Sequence, residues 1–106
     1  LDAHHIVEST GKRAAPAREI LDKYEIDINS ITNGVPLQSS RPGAKINPGV
    51  RNHKGEGLHS YDGIDQVNNR LERAVRGASD WGAARQRVLD ALAEIKAEIL
   101  NGSFPN

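Results

Sequence analysis

Apolar residues recur along this chain with changing period, and the changes mark out its elements. At the start, DAHHIVE sets β-branched Ile6 and Val7 behind two histidines, which predicts a short strand. Pro16 then suits the first turn of a helix running PAREILDKYEI, with Ala17, Ile20, Leu21 and Tyr24 on one face. Beyond it, DINSITNGVPLQSS spaces Ile28, Ile31 and Val35 around Asn33-Gly34, a dipeptide that signals a turn and often a hairpin. The last part of the chain is helical in period. Ile64, Val67, Leu71 and Val75 follow Asp62, a candidate N-cap, and Gly77 is a stop signal. Trp81, Ala84, Val88, Leu92, Ile95 and Ile99 form a continuous stripe after Asp80, closed by Gly102 and Pro105, so a helix is expected at about 80–101.

Between these stretches lies RPGAKINPGVRNHKGEG, rich in Gly and Pro and without periodicity. It predicts a loop, long for a small domain, and such loops commonly carry function or lack fixed structure. It also holds Arg41, Lys45, Arg51 and Lys54 against one acid, Glu56, in a chain whose 14 basic and 14 acidic residues cancel. The neutral total argues against a general nucleic-acid coat and leaves room for one local basic groove. By itself the cluster reads equally as a solvated loop.

Composition narrows the chemistry. A chain of 106 residues that is 37 % hydrophobic is expected to form one domain, 1–106, around one modest core. Without cysteine there is no disulfide and no thiolate site, so any metal must be held by imidazole or oxygen. No apolar run approaches the roughly 20 residues of a membrane helix, so no membrane partner is expected. The chain starts at Leu1 rather than Met, which reads as a piece of something longer.

All four histidines, His4, His5, His53 and His59, precede the last helix. Neighbours on a strand face opposite ways, so His4 and His5 are placed to do two different jobs. Phosphodiester hydrolysis needs that division: one group holds a Lewis acid, and a neutral base takes a proton from water. His59 stands just before a helix, and His53 lies across a turn built on Gly55 and Gly57 that can fold the two together. Three protein ligands with an open position is the catalytic arrangement. Read locally, His53 is equally an ordinary loop histidine, and Asn33 is a turn former.

Three segments in order carry a family resemblance: AHHIVE, then TNGVPLQ, then GLHSYDGIDQVNNRL, spanning residues 3–71. Together they resemble the AHH nucleases, a branch of the HNH / endonuclease VII superfamily. The resemblance implies an α+β fold: a small ββα-metal core with additional helices, the C-terminal helix packed on it. It implies His4 and His59 as metal ligands, His5 as general base, and Asn33 as the side chain that ties the loop to the base's strand. His53 would be a third ligand, displaced by extra residues from the family's usual place. Glu8 and Asp62 are the next candidate donors. Where the family has an aromatic pair at the helix opening, this chain has Gly63 and Ile64.

The expectation is therefore a metal-dependent endonuclease that cleaves DNA with one divalent ion, Zn, Mg, Ni or Mn. Arg41, Lys45, Arg51 and Lys54 would track the phosphate backbone without reading sequence. The alternatives are an RNase with the same site, or a non-catalytic, metal-stabilised binding module. The resemblance also implies the toxin tip of a bacterial effector, delivered out of its producer into the cytoplasm of a target cell. Its producer would then need a cognate immunity protein, acidic if it covers the basic loop.

Overall fold

The computed structural model describes residues 2–37 and 58–105. Its elements are strand β1 (Asp2–His5), helix α1 (Ala15–Lys23), one 3-10 turn (Ile31–Asn33), strand β2 (Gly34–Leu37), helix α2 (Tyr61–Val75) and helix α3 (Trp81–Asn101). Helices of 9, 15 and 21 residues against two four-residue strands make the described chain mostly helical. This is the expected α+β class with a ββα core.

Strands β1 and β2 pair antiparallel, with Ala3 opposite Pro36, His4 opposite Val35 and His5 opposite Gly34. Asn33-Gly34 is not the hairpin turn between them. Gly34 already belongs to β2, and the connection from β1 contains all of α1. A turn dipeptide reports local backbone preference, whereas the pairing partner is chosen by burial, and here Val35 is fully buried. The strand is also shorter than its apolar pattern suggested. Ile6 and Val7 follow it and are both buried, so strict alternation between two faces ends at His5.

Helix α1 buries Ala17 and Leu21, with Tyr24 buried just beyond its end. It has no capping side chain of its own, and both ends are finished by the other helices. At the N-terminus, Asn68 of α2 accepts from Ala17 N–H (3.1 Å) and donates to Arg13 C=O (2.7 Å). At the C-terminus, Trp81 Nε1–H donates to Lys23 C=O (3.1 Å), and Arg85 Nε–H of α3 donates to Tyr24 C=O (3.0 Å). Helix ends leave orphan groups that must find partners somewhere. Here those partners fix how the three helices sit together.

The chain leaves α1 through Glu25 at φ 55°, with Ile26 N–H bonded to Leu21 C=O (2.9 Å) and Glu25 N–H to Asp22 C=O (3.2 Å). That pair of bonds is the left-handed helix ending usually built on glycine. Helix α2 is capped by Ser60, whose hydroxyl accepts from Gly63 N–H (3.0 Å), and not by Asp62, which sits in its first turn. Asp80 caps α3 as expected, accepting from Ala83 N–H (2.7 Å). The α3 stripe buries Ala84, Val88, Leu92, Ile95 and Ile99, while Trp81 stays 46 % exposed and lies beside Tyr24. Arg70 of α2 reaches Glu98 of α3 through two 2.6 Å bonds, a planar fork that sets the register of the two helices.

Candidate active site

His4 and His5 leave β1 in opposite directions. His4 shares its face of the sheet with the buried Val35 opposite, because directly paired residues project to the same side. There it meets His59, which arrives on the turn before α2; the ring centroids are 6.1 Å apart and the planes inclined at 64°. His59 Nδ1 in turn faces Glu8 Oε2 at 3.5 Å. Two residues separated by about half the chain are thus brought together, with a carboxylate beside one of them.

His5 turns the other way. Its Nε2–H donates to Asn29 Oδ1 at 2.8 Å. An amide oxygen only accepts, so the neutral ring makes this bond in the tautomer with its proton on Nε2 and its lone pair on Nδ1. Asn29 is itself set by a turn: its backbone N–H donates to Asp27 Oδ1 at 2.8 Å. Ala3, His4, His5, Asn29, Ser30, Ile31 and Gly34 border one open recess beside the strand pair.

Asn33 is fully buried, and its side chain bonds to backbone groups. Its Oδ1 accepts from Val7 N–H (2.8 Å), while its Nδ2 donates to Val7 C=O (3.0 Å) and Ile28 C=O (2.9 Å). Its own C=O accepts from Ile6 N–H (2.8 Å). One amide therefore fastens the segment after β1 to the segment entering β2. Asn33 holds the frame in which His5 and Asn29 meet.

The resemblance to the AHH nucleases implies a divalent metal ion. The donor chemistry of His4, His59 and Glu8, two imidazoles and a carboxylate, fits a borderline divalent cation. The two rings stand wider by about 1 Å than two imidazoles on one tetrahedral ion would take. Among the described residues no three donors are gathered at one point. His53, Arg41, Lys45, Arg51 and Lys54 lie outside the described residues.

One residue absent from the motifs sits at this site: Asn29, whose only local signal is the Asp-Ile-Asn spacing of an Asx turn. Glu8, the last residue of the first motif and a candidate donor, is brought to His59 by the bend that follows β1.

An antiparallel strand pair and a following helix, with imidazoles gathered at one end, form the ββα-like core of a small nuclease. The chain belongs to the AHH family, described as a nuclease family of the HNH/ENDO VII superfamily with conserved AHH, whose profile matches residues 1–99. That match runs beyond the three motifs into α3. Neither a curated protein nor a solved structure matches the chain. As a nuclease, the chain has nucleic acid for its substrate.

Proposed function

We propose that this nuclease is a metal-dependent endonuclease acting on DNA, with His5 as general base and His4 and His59 as ligands of one divalent ion. The observation that carries the reading is the split of the His pair, one ring turned to His59 and the other to Asn29. A ligand and a base must occupy separate places, and adjacent strand positions provide them.

When bound, the ion would supply a Lewis acid at the scissile phosphate. The chain's own residues do the rest. His5 Nδ1 takes the proton from the attacking water, and Asn29 keeps the opposite nitrogen protonated so that the base stays correctly oriented. Asn33 holds the Val7 and Ile28 segments on which that geometry stands. Glu8 orients the His59 ring, as carboxylates commonly do for ligand imidazoles. His53 is proposed as the third ligand. Arg41, Lys45, Arg51 and Lys54 would guide the backbone of the substrate strand.

The family resemblance further supports an effector toxin domain that acts in the target cell, restrained in its producer by an acidic immunity protein at the basic loop. One assay tests the core of the proposal. Plasmid DNA and total RNA are incubated with chelated protein, then with Zn, Mg, Ni or Mn restored. Nicking of plasmid on restoration is the expected result. Degradation of RNA alone makes the enzyme an RNase, and intact substrates under every metal reduce the domain to a binding module.

A further inference from the structure

Tyr61 opens α2 and remains 71 % exposed, yet its ring is held. The Arg13 guanidinium carbon lies 4.2 Å from the ring centroid. Arg13 is fixed in turn by Asp65, one helical turn beyond Tyr61, through Nε–H to Oδ1 (2.9 Å) and Nη2–H to Oδ2 (2.8 Å). A carboxylate orients a guanidinium, and the guanidinium orients the ring. Arg13 covers one face of the ring, and most of the residue is open to solvent.

This unit is built for stacking and poorly built for phosphate. Asp65 neutralises Arg13, so the cluster offers little net attraction to an anion. Arg13 against the ring and Asp65 behind it set charge beside Tyr61 rather than the apolar patch a protein partner would favour. An aromatic face accepts any base, and holding the ring in advance lowers the entropic cost of stacking on it. Its position matters as well. Tyr61 is two residues from His59, so the two Cα atoms are within about 7 Å. A strand whose phosphate lies at the His4–His59 pair therefore has the residue that carries this ring within the span of a nucleotide or two.

Inside a duplex both faces of every base are already stacked. We propose that Tyr61 is a stacking platform for one unpaired base of the substrate strand, one or two nucleotides from the cut. Single-stranded or locally unpaired nucleic acid is then the preferred substrate. This inference rests on the nuclease reading, with the cut at the histidines.

The test uses the His5→Ala protein, so that binding is measured without cleavage, and a fluorescent single-stranded oligonucleotide beside a fully abasic strand of the same length. Tyr61→Ala should weaken binding of the intact oligonucleotide about tenfold, and Tyr61→Phe by less than about twofold. The abasic strand should bind the Tyr61 protein more weakly than the intact one, and Tyr61→Ala should weaken it no further. With His5 restored, a mismatched duplex should be cut faster than a matched one, and Tyr61→Ala should remove the difference. Additive penalties, or equal binding by Tyr61→Ala, overturn the platform while leaving cleavage and the nuclease reading intact. A ring used by a protein partner would give that same negative result with nucleic acid. If the unaltered protein neither binds nor cuts any nucleic acid, the nuclease reading fails and the platform fails with it.

Discussion

His5 Nε2 and Asn29 Oδ1 are 2.8 Å apart, and that one bond decides which nitrogen of the imidazole carries the lone pair. Replacing Asn29 by Ala frees the tautomer and should lower cleavage about tenfold with metal affinity unchanged. Cleavage by Asn29→Ala at the rate of the unaltered enzyme would remove Asn29 from the mechanism.

The two neighbours on β1 should separate cleanly in calorimetry. His5→Ala is expected to lose cleavage by about 10²- to 10⁴-fold while still binding metal. His4→Ala and His59→Ala should lose metal binding and cleavage together. A flat metal titration for His5→Ala would mean that the roles are exchanged or shared.

Asn33 gives a prediction about stability rather than chemistry. Its side chain satisfies three backbone groups, and truncation strands them in or near the core. Asn33→Ala should cost about 3 kcal/mol, read as a fall in melting temperature of about 15 °C. Activity should follow the folded fraction, and a stable but inactive Asn33→Ala protein would instead assign it a part in the reaction.

Glu25 occupies a backbone conformation that L-residues resist, at φ 55°, in the helix ending where glycine is usual. Glu25→Gly should therefore stabilise the protein, by about 1 kcal/mol, in urea unfolding. The side chain is exposed, so little contact is lost. Destabilisation would show that the lost chain entropy outweighs the relieved strain.

Much of this architecture was legible before any coordinates. The strand at His4 and His5, the apolar faces of α2 and α3 and the cap at Asp80 follow from periodicity and local capping chemistry, which act over a few residues. The three motifs likewise carried the family and the ββα class. What was not legible is whatever depends on distant partners. Asn33-Gly34 looks like a hairpin because a dipeptide cannot announce that α1 intervenes between the strands. Ser60 caps α2 in place of Asp62 because the chain enters the helix two residues earlier than its charge pattern suggests. Asn29 and Glu8 reach the histidines through turns, and Asn68, Trp81 and Arg85 finish a helix far from them in sequence. Such pairings have no period to read.

The insertion of α1 between the two strands has a consequence for when the candidate site exists. His5 meets Asn29 only after the chain has travelled through a helix, and His4 meets His59 only after about half the chain has been laid down. Contacts of that range must overcome loop-closure entropy before they are rewarded, so they form late and together with the core. A nascent or unravelled chain therefore carries every residue of the site and none of its chemistry. Cleavage is coupled to native structure, and denaturant should extinguish it and the Trp81 environment in one concerted transition.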